Sequence, residues 1–124
     1  MDLEKLFSGE WFEFICVNDK GAEATIRLKL LPSTTDEANV FQNLPKDISE
    51  DEKLGRSLSL IAAHIIDWDF TSGGQPVLCT DEMKTKVLKS LIFLKLKPVE
   101  GKETEQLSGD ILRIVLNPAN FLKN

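Results

Sequence analysis

Few residues in this chain are of types that do chemistry near neutral pH. There is one histidine, His64, set in an apolar run, and there are two cysteines, Cys16 and Cys79, far apart in sequence. One imidazole and two scattered thiols cannot build a four-ligand zinc site without carboxylates. A Cys–His nucleophile pair would need a thiol whose pKa is lowered, and no cluster of cations surrounds either cysteine. Cys79 does precede a helix start, but Asp81 and Glu82 beside it would raise its pKa. Both cysteines are therefore expected as reduced, mostly buried thiols, and His64 as a satisfied core or half-buried imidazole. Asp67 and Asp69 flank Trp68 on one face of a predicted strand. Acid–base work needs a partner that separates two pKa values, and no such partner is evident, so they read as solvent-facing carboxylates. Gly73-Gly74 lacks the lysine and hydroxyl of a phosphate-binding loop. The acids Asp47, Glu50, Asp51 and Glu52 read as a solvated helix N-terminus. The expectation is a protein that is not an enzyme, with no catalytic residue, no cofactor and no metal.

One local charge excess remains. No acid occurs between Met83 and Lys97, while Lys84, Lys86, Lys89, Lys95 and Lys97 do. At 100° per residue Lys86, Lys89 and Lys97 fall opposite the Met83 stripe, with Phe93 among them. The one aromatic and the acidic surroundings argue against nucleic acid. A protein partner is the functional alternative to a plain solvated face. Lys86, Lys89, Phe93, Phe121 and Leu122 are then the interface candidates, with the lysines steering an acidic segment. The alternative is that Phe93 caps the core and the C-terminus frays.

The elements that must position these groups follow from length and pattern. At 124 residues the chain suits one domain, spanning 1–124, and its 42% hydrophobic content is ample for a core. A net charge of −5 with a pI near 4.9 suits a soluble chain that nucleic acid backbones repel. The start, Met1-Asp2-Leu3-Glu4-Lys5-Leu6-Phe7, shows no signal-peptide pattern. Leu58–Ile66, broken by Ser59 and His64, is far short of a membrane span. A cytoplasmic location without membrane contact is expected.

Trp11–Val17, Asn18-Asp19-Lys20-Gly21 and the alternating Ala24–Leu30 predict a hairpin, with Ala24, Ile26, Leu28 and Leu30 facing one way. Pro32 ends it. Thr34 to Glu37 and Ser49 to Glu52 have capping-box spacing, so two helices start there, separated by Leu44-Pro45. Residues 58–66 satisfy both helical and strand spacing, whereas Ile66–Phe70 alternates as a strand. Thr71–Pro76 reads as a loop. Thr80 caps a third helix, whose stripe is Met83, Val87, Leu91 and Leu94. Over 91–97 helix and strand both remain open. Residues 97–109 read as a polar linker before a C-terminal helix, Asp110–Leu116, stopped by Asn117-Pro118. The fold class is α+β: an N-terminal β-hairpin and a further strand, packed with three or four helices on one sheet face.

The stretch Ile66-Asp67-Trp68-Asp69-Phe70-Thr71-Ser72-Gly73-Gly74-Gln75-Pro76-Val77-Leu78-Cys79-Thr80-Asp81-Glu82 resembles a string found in tail assembly chaperones and related small tail proteins of long-tailed bacteriophages. Its parts are an apolar run into Asp-Trp-Asp, a polar turn ending in Gly, a Pro-apolar pair and a Thr-capped helix. Trp11–Leu31 and the Thr-capped helix after it resemble their opening hairpin. The match covers about half the chain and leaves the part from Pro98 unmatched. Thr71-Ser72 stands where that string commonly carries acids. The string marks a fold, with Trp68 packing, Pro76 fixing entry to the next element and Thr80 capping. The resemblance implies a non-enzymatic protein of the bacterial host cytoplasm that binds the tape-measure protein during tail assembly and tends to form homo-oligomers. A structural tail or head–tail component of the virion is the alternative, and a small enzyme around Cys79 or His64 a third.

Overall fold

The computed structural model describes residues 9–91, 94–101 and 105–121. Alternation produces the first two strands. β1 (Glu10–Val17) and β2 (Glu23–Leu30) pair antiparallel along their length, from Glu10 opposite Leu30 to Val17 opposite Glu23. Because side chains alternate across a strand, Phe14, Cys16, Ile26, Leu28 and Leu30 are buried on one face. Trp11, Glu13, Ile15 and Arg27 stand on the other face in solvent, where Arg27 donates to Glu13 at 3.2 Å. Asn18 closes the turn. Its carbonyl accepts from the Gly21 amide, and its side-chain oxygen accepts from the amides of Lys20 and Ala22.

Two helices follow, as the capping residues require. α1 (Thr35–Gln42) begins at a complete capping box. The Glu37 amide donates to Thr34 Oγ1 at 3.1 Å, and the Thr34 amide donates to Glu37 Oε1 at 2.9 Å. α2 (Glu50–His64) begins at Ser49, whose Oγ accepts from the Glu52 amide at 3.1 Å. Residues 58–66 resolve as helix up to His64, after which β3 (Ile65–Trp68) starts with no intervening loop. Within the helix Ile61 and His64, three apart, are both buried, as one face of a helix requires. β3 pairs antiparallel with β2 through an irregularity at Lys29 and Leu30, and it stops at Trp68, two residues short of Phe70.

Thr71–Pro76 is more than a loop. β4 (Thr71–Ser72) and β5 (Gln75–Pro76) form a small antiparallel ribbon around Gly73 and Gly74, both with positive φ as a tight hairpin turn demands. α3 (Asp81–Leu91) then buries Leu88 and Leu91, while Met83 and Val87 are only half-buried and Leu94 lies beyond the helix end. Within 91–97 the described helix reaches Leu91. β6 (Lys95–Leu96) then adds to the free side of β1, opposite Cys16 and Val17. The main sheet is antiparallel throughout, in the order β3-β2-β1-β6.

The linker expected over 97–109 is shorter than its polar composition suggests. α4 (Leu107–Leu116) starts at Leu107, which is fully buried together with Ile111 and Val115. One 3-10 turn, Pro118–Phe121, closes the described chain. Ile61, Leu88, Leu91, Leu107, Ile111 and Val115 from α2, α3 and α4 join the inner sheet residues in one cluster, so the domain has two layers. No described helix is long and apolar enough to cross a membrane.

Candidate functional site

α1 stands apart from this core. It buries none of its own residues, and Val40 is 65% exposed. Eight residues are too few to form a stable helix in isolation, so outside contacts must hold it. Glu37 supplies them with both of its oxygens. Oε1 completes the capping box at Thr34, while Oε2 accepts from His64 Nε2 at 2.9 Å, fastening α1 to the last residue of α2. The Thr34 amide first, and the imidazole second, hold the Glu37 carboxyl below its ordinary pKa. Ser33, just before the cap, is tied to the other layer by its amide, which donates to the Val115 carbonyl at 2.9 Å.

His64 is buried, as the apolar run implies, but it is not fully satisfied: among the described residues Nδ1 has no partner. Among the described residues no hydroxyl or thiol bonds to it. Geometrically the Glu37–His64 pair is a clasp between two helices.

From the clasp, residues 43–49 bring the chain back to the start of α2. α1 and α2 therefore run antiparallel and enclose an open groove of about 880 Å³. Val40, Phe41, Leu44, Leu60 and Ala63 give it apolar walls, and Gly55 and Ser59 a low floor. Its rim is acidic. Asp36 and Glu37 lie at the clasp end and Glu52 at the other, against one cation, Arg56, which donates to Glu52 at 3.3 Å. Sequence reasoning missed this groove, although Val40 and Phe41 behind a capping box were visible. The apolar side of so short a helix reads as core until the structure shows it uncovered.

The residues singled out from the sequence do not converge on one place. Trp68 is buried, its Nε1 donating to the Val77 carbonyl at 2.7 Å and its ring edge against Phe70 at 5.2 Å. Pro76 is exposed in β5 opposite Thr71. Thr80 caps α3, with Oγ1 accepting from the Met83 amide at 3.2 Å. Asp67 Oδ1 accepts from the Trp68 amide and Asp69 Oδ1 from the Arg27 amide, so both carboxylates are exposed yet used by the backbone. Cys16 and Cys79 are free thiols, the first buried and the second half-buried.

On α3, Lys86 and Lys89 are exposed, as expected, with Lys86 facing Glu82 at 3.6 Å. Lys84 is different. Its side chain is folded in, donating to the Ala62 carbonyl at 3.1 Å and braced by Asp81. Lys97 pairs with Glu23 at 3.1 Å, so this lysine run is partly consumed within the fold. Phe121 is half-buried, its ring edge on Phe12 at 5.3 Å. Phe93 and Leu122 lie outside the described residues. Among the described residues no cluster of three or more His, Cys, Asp or Glu is placed to hold a metal ion. Comparison with known families, curated proteins and solved structures finds no match to this chain.

Proposed function

We propose that the chain is a non-enzymatic tail assembly chaperone of the kind found in long-tailed bacteriophages, binding the tape-measure protein in the host cytoplasm before tube subunits enclose it. The observation that carries this reading is the groove between α1 and α2. It is a carbon-lined, solvent-open surface between two helices that Glu37 and His64 fasten together. A protein that keeps an aggregation-prone partner in solution must expose apolar surface of its own, rimmed by polar groups. The Asp67-Trp68-Asp69 string that carries the resemblance acts structurally in this fold: Trp68 packs, both acids cap backbone amides, and Thr80 starts α3.

The test is co-expression with the tape-measure protein encoded in the same genome. The two should co-purify, and the tape-measure protein should shift from the insoluble to the soluble fraction. A tape-measure protein equally insoluble with and without this chain would overturn the reading. Recovery of the chain from purified particles at fixed stoichiometry would make it a structural tail component instead.

A further inference from the structure

We infer that the groove between α1 and α2 is a docking site for one amphipathic helix whose apolar stripe is flanked by lysine or arginine. The identity of that partner, a segment of the tape-measure protein, rests on the reading above; the location and the chemistry rest on the groove itself.

Three features select the occupant. The walls are two helices, α1 and α2, and no unpaired strand edge opens between them, so an incoming backbone cannot add to a sheet. It must satisfy its own amides and carbonyls, which a helix does. The acids sit at both ends of the groove, Asp36 beside the clasp and Glu52 in the acidic first turn of α2 with Glu50 and Asp51. Glu52 and Arg56 are both half-exposed, so a cation on the partner can compete for the carboxylate. Cationic flanks are therefore attracted and acidic flanks repelled.

Gly55 is the third feature. It sits mid-helix in α2 and lines the groove, and a Cβ built on it meets nothing within 4 Å. Glycine there costs the helix stability and relieves no clash within the chain. It leaves room for a side chain of another molecule to come close to the α2 backbone. The lysine-bearing helix of a second copy is a poorer occupant: the outward face of α3 is Asp81, Glu82, Thr85, Lys86, Lys89 and Ser90, with no apolar stripe to enter the groove.

The test uses the full chain and a fluorescein-labelled designed helix of about 18 residues, five turns, with a leucine stripe and lysine flanks. A twin peptide carries glutamate flanks. The lysine peptide should bind saturably at one per chain, and at least about tenfold more tightly than its twin. Gly55→Leu should fill the groove and weaken binding about tenfold or more while the melting temperature holds or rises. Val40→Glu, at an exposed position, should weaken it without loss of fold. Asp36→Lys with Glu52→Lys should weaken it far more than Asp19→Lys with Glu100→Lys, the same charge change placed elsewhere. Equal binding of both peptides, or unaltered binding by Gly55→Leu, would overturn the assignment. So would equal effects of the two charge pairs, or a concentration-dependent dimer that Val40→Glu disperses, which would give the groove to a second copy. If the lysine peptide binds as described and the tape-measure protein does not, the chaperone reading fails and the groove assignment stands.

Discussion

Trp68 is held at both ends, by the Val77 carbonyl on its Nε1 and by Phe70 against its ring. Removing the side chain opens a large cavity, so Trp68→Ala is expected to cost about 3–5 kcal/mol in urea denaturation. Trp68→Phe keeps much of the volume but leaves the Val77 carbonyl without its donor, so a loss of about 1–3 kcal/mol is expected. An unchanged midpoint in the alanine variant would remove the indole from the core. The two thiols provide a second test. Burial pushes the Cys16 pKa up, and it pushes that of Cys79 up too, where Lys84 opposes the shift and Asp67 and Asp81 add to it. The effect of Asp81 was legible from its place in sequence, and burial, the larger cause, from the reading of both cysteines as buried thiols. A thiol whose pKa rises on folding favours the fold fully below its unfolded pKa of about 8.5, and that preference is lost as pH climbs through the higher folded value. Iodoacetamide should therefore modify the native protein slowly at pH 7.5, Cys79 before Cys16. Rapid labelling of Cys16 in the native state would contradict its burial.

At the scale of elements, α1 depends on a few polar contacts more than on packing. Thr34→Ala removes the cap acceptor, worth about 0.5–2 kcal/mol to the helix. Because α1 buries nothing, the loss should appear as faster amide exchange over 35–42 with little change in global unfolding. Glu37, with its pKa lowered in the fold, stabilises α1 at pH values above the unfolded glutamate pKa of about 4.3, and loses that effect as pH falls through the folded value. Protection of α1 amides should therefore fall on acidification ahead of the core, and Glu37→Gln should remove that acid-side step. Identical acid profiles for the two proteins would release Glu37 from this role.

Elements with strong local signals were legible in sequence. The alternation of Ala24–Leu30 and the caps at Thr34, Ser49 and Thr80 all set structure where they stand. What was hidden depended on tertiary contact. Lys95–Leu96 is a strand only because the side of β1 is open to it, and Leu107–Gly109 is helical because Leu107 has a core to enter. The ribbon at Gly73-Gly74 did carry a signal, a Gly-Gly pair between short extended runs, which polar composition masked. The groove left no trace in periodicity, since one sequence cannot show which apolar helix face goes uncovered.

For the whole molecule, charge and apolar surface are segregated. The lysine run is drawn into the fold at Lys84 and Lys97, while Asp36, Glu37 and Glu52 edge the apolar groove between α1 and α2. Lys86→Glu with Lys89→Glu should accordingly leave partner binding within about twofold, a difference well below 1 kcal/mol. Strong weakening by that pair would move the interface to α3. The most direct measurement of the chaperone claim is light scattering by denatured tape-measure protein diluted into buffer with increasing amounts of the purified chain. Scattering should fall with added chain and level off at a fixed molar ratio, while Gly55→Leu protein at the same concentration suppresses it much less. Scattering that rises to the same plateau with and without the chain would contradict the claim.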